Sequence, residues 1–214
     1  MADARTVVVD LKRVLLQDPR DRFWSNAEGP VGMLAIDLAT RKRYRINGTM
    51  RRDGDQLVLE VDEAYPNCPK YISRRILDVP EAGSPVLGAG TEEFLSKTDV
   101  FFVASGHPQR SADVSHRGGP AGFVQVIDEK NLRIPDYPGN GMFNTLGNLA
   151  VDPHAGLLFP DFPGGRMLQM TGRAEIDWSG AERSWTFHID QSVELALPEG
   201  LKSEWIDASP YNPR

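Results

Sequence analysis

The sequence predicts a mostly β chain with short helices, and three observations carry that reading. Apolar and polar residues alternate over many short runs, a hairpin-like segment occurs twice, and helical patterning is confined to brief stretches. The 214 residues are enough to bury a substantial core. Hydrophobic residues make up 40% and charged residues 25%, with a formal net charge of -6, so a generalised nucleic-acid surface is not expected.

The first hairpin is "VGMLAIDLATRKRYRINGT" (31–49) and the second is "AGLLFPDFPGGRMLQMTGR" (155–173). Gly32, Leu34, Asp37 and Gly48 correspond without insertion to Gly156, Leu158, Asp161 and Gly172. Each copy reads as an apolar strand, a polar turn and a strand with apolar residues at every second place, Tyr44 and Ile46 or Leu168 and Met170. A third strand follows each, marked by Leu57, Leu59 and Val61, and by Trp185, Phe187 and Ile189.

Between the copies, the Pro- and Gly-rich segment 79–90 reads as a linker. It divides a first part, residues 1–78, from a second, residues 91–200, with a tail at 201–214 that folds over a neighbouring subunit or hangs loosely. The second part opens with a short helix capped by Thr91, continues through strands near 98–105, 121–128 and 131–136, and adds a helix from about Asn140 to Val151. Only about thirty residues precede Gly32, too few for those elements, so the first part is expected to be incomplete. It would borrow strands from the second part or from a partner, or derive from a longer chain. Trp178 and Trp185 are expected in or beside the core. The segment "YPNCPKYISRR" (65–75) reads first as a turn into a short helix with Lys70, Arg74 and Arg75 solvated.

Asp152-Pro153, Leu157-Leu158-Phe159, Gly172 and Ala174 give residues 91–195 a resemblance to the pyridoxamine 5'-phosphate oxidase-like family. The resemblance implies a β-barrel with short helices, the FMN-binding split barrel, here as one complete unit plus a partial second unit. It also implies FMN in a groove between two barrels, supplied by a tandem chain or by a homodimer. The redox chemistry would belong to the cofactor, with a small-molecule substrate and a nicotinamide as electron donor. Where the family's oxidases carry four basic phosphate-site residues, this chain has Phe123, Asp128, Asn144 and Thr145, so oxidation of pyridoxamine phosphate itself is not expected.

Compensating candidates lie in "DVSHRGGPAGFVQVID" (113–128), which sets Ser115, His116 and Arg117 at the entrance to a predicted strand. Arg117 is the candidate for the phosphate, with Ser115 and the N–H groups of Gly118 and Gly119 as further donors. Asn140, Asn144 and Thr145 stand near the second helix start, where free N–H groups favour an anion, although the asparagines equally suit capping. Asn67 and Lys70 are the candidates from the first part. No catalytic acid or base is named. Ser115 and His116 are poorly placed as nucleophile and base, because neighbours on a strand face opposite ways. The four histidines and the lone Cys68 show no metal-ligand spacing, so no metal is expected. Single cysteine usage, a polar start and the lack of a long apolar run lead to the expectation of a soluble cytoplasmic protein without membrane partners. A flavin-binding module without turnover and a cofactor-free interaction protein remain open as alternatives.

Overall fold

The computed structural model describes residues 5–14, 21, 23–24, 26–78, 91–109, 112–139, 141–179 and 183–213. Segment 79–90, where the sequence led to the expectation of a linker, lies outside them. The first part holds strands β1 (Thr6–Asp10), β2 (Gly29–Asp37), β3 (Lys42–Asp53), β4 (Gln56–Pro66) and β5 (Arg74–Asp78). Helix α1 (Thr91–Lys97) leads into β6 (Val100–Gly106), β7 (Ala112–Gly118), β8 (Gln125–Asp128) and β9 (Asn131–Pro135). Helix α2 (Asn144–Val151) is followed by β10 (His154–Asp161), β11 (Arg166–Asp177), β12 (Ser184–Ala196) and β13 (Lys202–Asp207).

These strands form a seven-stranded sheet in the order β7-β6-β10-β11-β12-β9-β8 and a four-stranded sheet in the order β1-β4-β3-β2. A two-stranded ribbon joins β13 to β5. All pairings are antiparallel. The main core lies on one face of the larger sheet, where alternation buries Phe101, Val103, Phe159, Trp185 and Phe187 completely or nearly so. Helices α1 and α2 cover it with Phe94, Leu95, Leu146 and Leu149. Removing each such side chain from water contributes about 2–3 kcal/mol, which is what holds short helices of little intrinsic stability. A smaller core under the second sheet joins Leu11, Met50, Leu57 and Leu59.

The two hairpin copies share more than their sequence. Gly32 pairs with Asn47 and Gly156 with Thr171, the same register in both. The partner strand then slips at Asn47/Gly48 in one copy and at Thr171/Gly172 in the other. A Cβ at Gly48 would lie 1.9 Å from the Glu60 carbonyl oxygen, and one at Gly172 would lie 2.0 Å from that of His188. Both glycines are therefore demanded by the bulge, where backbone presses on backbone. The first copy ends at β2, and β2 and β3 lie against β7 of the larger sheet.

Several sequence expectations change. Residues 112–118 are the strand β7 itself rather than an entrance to one, and the strand expected at 121–128 starts only at Gln125. The 65–75 segment turns into the strand β5, not a helix, because Arg74 and Arg75 find fixed partners. Arg74 pairs with Asp207, and Arg75 is buried, 2.5 Å from Asp99 and stacked on Trp205. The C-terminal segment is β13, paired with β5 of its own chain. Trp185 is buried as expected, but Trp178 is 65% exposed beyond the end of β11. Tyr44 is exposed, whereas Arg45 and Asn47 on the other face of β3 are buried. No helix among the described residues is long and apolar enough to cross a membrane.

Candidate functional site

Strand alternation on β3 puts Arg43 and Arg45 on one face, and β7 lies against that face. The turn after β4 brings Asn67, Cys68, Lys70 and Tyr71 to the same place. The stretch after β9 contributes Asp136, Tyr137 and Phe143, and the first turn of α2 contributes Thr145. Together they enclose a cleft of about 230 Å³ between the two parts of the chain.

The position of the 67–71 turn rests on two backbone features. Tyr71 adopts a left-handed φ of 64°, which costs a residue with a Cβ about 1–2 kcal/mol. Three contacts hold it: its N–H donates to Ser209 Oγ at 3.0 Å, its hydroxyl donates to the Pro138 carbonyl at 2.9 Å, and its ring meets that of Tyr137 at 5.4 Å. The Tyr71 carbonyl oxygen in turn occupies the place a Cβ on Gly118 would need, 1.9 Å from it. Any side chain at Gly118 would push the turn off β7.

The cleft is rich in cations. Arg43, Arg45, Lys70, Arg117 and Arg183 line it, against the single carboxylate of Asp136. Asp136 serves two of them, Arg117 at 2.6 Å and Arg183 at 3.1 Å. Arg45 is paired at 3.2 Å with Asp113. Arg43 has no carboxylate among the described residues; its guanidinium donates to the carbonyls of Cys68 at 2.7 Å and His116 at 3.3 Å, and its Nε is buried without an acceptor. Burial, and then the charges of Arg45 and Arg117, push the Arg43 pKa down to about 10, so it remains a cation at neutral pH. His116 is buried with neither ring nitrogen partnered among the described residues. Burial first, then the charges of Arg43 and Arg117, hold its pKa well below 6.5, so its imidazole is neutral.

Of the sequence candidates, Asn67, Lys70, His116, Arg117, Gly118 and Thr145 line this cleft. Ser115 does not: its hydroxyl donates to Asp113 Oδ2 at 3.2 Å and accepts from Thr145 Oγ1 at 2.8 Å, inside the protein. The Gly119 N–H is spent on the Asp99 carbonyl at 3.1 Å. Asn144 faces a neighbouring hollow, where its Nδ2 donates to Tyr65 Oη at 2.6 Å. It does not cap α2, whose N-cap position is held by Phe143 without a side-chain bond. Asn140 lies outside the described residues.

Sequence reasoning missed Arg43, Arg45, Asp136, Tyr137 and Arg183. A signal existed for the first two: cations recur at Arg43 and Arg45, two places apart on a strand. The alternation was followed through Tyr44 and Ile46 instead, and of these Tyr44 is exposed. Phe123 and Asp128 fall where basic residues were absent by alignment; Phe123 is buried in the core, and Asp128 holds the β8–β9 turn through Lys130 and Asn131. Among the described residues no cluster of His, Cys, Asp and Glu is arranged to hold a metal ion.

Comparison with solved structures gives low-identity matches. HupZ of Group A Streptococcus is 14% identical with a TM-score of 0.40, covering 52% of this chain and 100% of that one. An FAD-binding protein of Mesorhizobium loti is 11% identical with a TM-score of 0.37, covering 48% and 89%. A Clostridium acetobutylicum protein of the pyridoxinephosphate oxidase family, related to general stress protein 26 of B. subtilis, is 11% identical with a TM-score of 0.37, covering 53% and 90%. Nothing about ligand or activity follows from likeness at that level. No curated protein matches the chain. Residues 88–195, just over half of the chain, match the family model for pyridoxamine 5'-phosphate oxidase. With that match and its mostly β split-barrel fold, the chain belongs to the pyridoxamine 5'-phosphate oxidase family.

Proposed function

We propose that the cleft binds FMN noncovalently and that the protein is an FMN-dependent oxidoreductase acting on a small molecule. The observation that carries this reading is Arg43, half-buried and without a carboxylate among the described residues, its Nε buried without an acceptor, beside Arg117 and Arg183, which share one acid. Such a surplus favours an anion, and a phosphate monoester supplies two charges and acceptors for the orphaned donor. Arg43 and Lys70 would hold the phosphate, with Arg117 kept in orientation by Asp136. The N-terminal turn of α2, which lines the cleft without a side-chain cap, adds dipole support. Tyr71, Tyr137 and Phe143 offer aromatic surface for a planar ring. Bound flavin would supply electron transfer between a nicotinamide donor and the substrate; the protein's part is to orient it and exclude water. We extend the proposal to a tandem organisation with a shortened first unit, to a homodimer and to a cytoplasmic location.

The test is a visible spectrum of the purified protein after adding FMN and desalting. A flavin band near one equivalent is expected for the wild type. In Arg43→Ala the dissociation constant should rise by a factor equivalent to about 1.5–3 kcal/mol, with the circular dichroism spectrum unchanged. Anaerobic bleaching of the retained flavin by NADH or NADPH would mark an oxidoreductase, and retention without bleaching a binding module. A folded protein that retains no flavin would sink the proposal and favour an interaction role.

A further inference from the structure

A second hollow, of about 530 Å³, lies on the other side of Met142 and Phe143, which line both spaces. We propose that it is a separate binding site for the protonated nitrogen of a small organic cation. Its charge is opposite to that of the cleft. The acids that line it are Glu63 and Asp113, and Asp113 is already neutralised by Arg45. Glu63 is not: one of its oxygens accepts from Asn47 Nδ2 at 3.0 Å, and among the described residues no cation pairs with it.

Beside Glu63 stands a buried acceptor that lacks a donor. Asn47 lines the hollow with only 1% of its surface exposed, and its Oδ1 meets no donor among the described residues. A buried amide oxygen left unpaired is unusual in a folded protein and calls for a donor from a ligand. Asn144 and Asn148 each donate one amide hydrogen bond, to Tyr65 Oη at 2.6 Å and Ser105 Oγ at 3.2 Å, and His107, which also lines the hollow, accepts the Gln109 N–H at Nδ1 at 3.1 Å. An ammonium group has donors and no acceptor, so it complements this set. A carboxylate ligand would instead be set against Glu63 and the unpaired Asn47 oxygen.

The site does not depend on the flavin reading, and the experiment separates the two. Butylammonium and butyrate are titrated into the full-length protein at about 0.15 M salt, where exposed charges are screened, and followed by ligand-observed NMR. Butylammonium is expected to bind and butyrate not. Glu63→Gln should weaken butylammonium binding about tenfold or more, whereas Glu129→Gln, outside the hollow, should leave it unchanged. Arg43→Ala should also leave it unchanged while losing FMN retention. No butylammonium binding, equal response to butyrate, or indifference to Glu63→Gln overturns the second site without touching the cleft. Conversely, a protein that takes butylammonium through Glu63 yet never retains FMN loses the flavin reading alone.

Discussion

The two hairpin copies use one backbone plan for opposite ends. Their registers agree, their bulges fall at matching glycines, and both turns are tied by an aspartate: Asp37 Oδ1 accepts from Ala39 N–H at 3.0 Å and Asp161 Oδ1 from Gly164 N–H at 2.9 Å. In the second copy the alternation serves packing, with Leu168 and Met170 buried in the main core. In the first copy the positions matching Met167 and Gln169 are Arg43 and Arg45, and these are turned toward β7 and the cleft. The second copy extends through β10 to β6 and β7, while the first stops at β2 and lies against β7 instead. A hairpin relieved of completing its own sheet can spend one face on a site.

The contact that joins the first copy to β7 should therefore be the costliest to break. Asp113→Ala would leave Arg45 buried and unpaired, and is expected to lower unfolding free energy by about 4 kcal/mol, read from urea transitions. At the matching position of the other copy, Gln169 only donates to Asp21 Oδ2 at 3.0 Å, and Gln169→Ala should cost about 1 kcal/mol. Equal losses at the two positions would show that the face of the first copy is not specially committed to β7.

The glycines test the plan itself. Gly48→Ala and Gly172→Ala each drive a Cβ into a partner-strand carbonyl and should cost about 3 kcal/mol apiece. The entry glycines should part company. A Cβ on Gly32 would sit 2.8 Å from the Asp113 backbone, whereas one on Gly156 meets nothing nearer than 3.8 Å. Gly32→Ala is expected to cost about 2 kcal/mol and Gly156→Ala within about 0.5 kcal/mol, again by urea unfolding. Similar values for that second pair would mean that β2 is free to move away from β7.

Much of the fold was legible because it rests on local pattern. Alternation marked both hairpins and their third strands, and Gly48 and Gly172 match in sequence, although nothing local marked them as the bulges they are. The cleft was half legible: Asn67, Lys70, His116 and Arg117 were found as polar residues in unusual company, yet Arg43 and Arg45, between the apolar places Tyr44 and Ile46, drew no notice. A strand with a second sheet element over its outer face buries both faces, and a single-face reading of period two chooses the wrong one. Asp136 and Arg183 carry no local signal, since their pairing depends on the long-range approach of the chain before β12 to the end of β9. Ser115 misled because a hydroxyl beside His116 and Arg117 looks like a ligand contact, whereas it bonds to Asp113 and Thr145.

The remaining effect is a pH dependence and concerns His116, on the strand that the second copy possesses and the first only leans on. Burial and the neighbouring Arg43 and Arg117 hold it neutral in the folded protein, so its folded pKa lies below the value of 6.5 it regains on unfolding. Below about pH 6.5 the unfolded chain therefore takes up a proton that the folded chain refuses, and stability must fall as pH falls. The loss approaches ~1.4 kcal/mol per pH unit from this one group until the folded pKa is reached. Above about pH 6.5 both states are neutral and the contribution to the slope vanishes. Urea midpoints measured across this range should decline on the acid side in the wild type, and decline less in His116→Gln, which cannot take up the proton. Parallel slopes in the two proteins would place the titrating group elsewhere and would mean that His116 is reached by water when β7 and β3 are in contact.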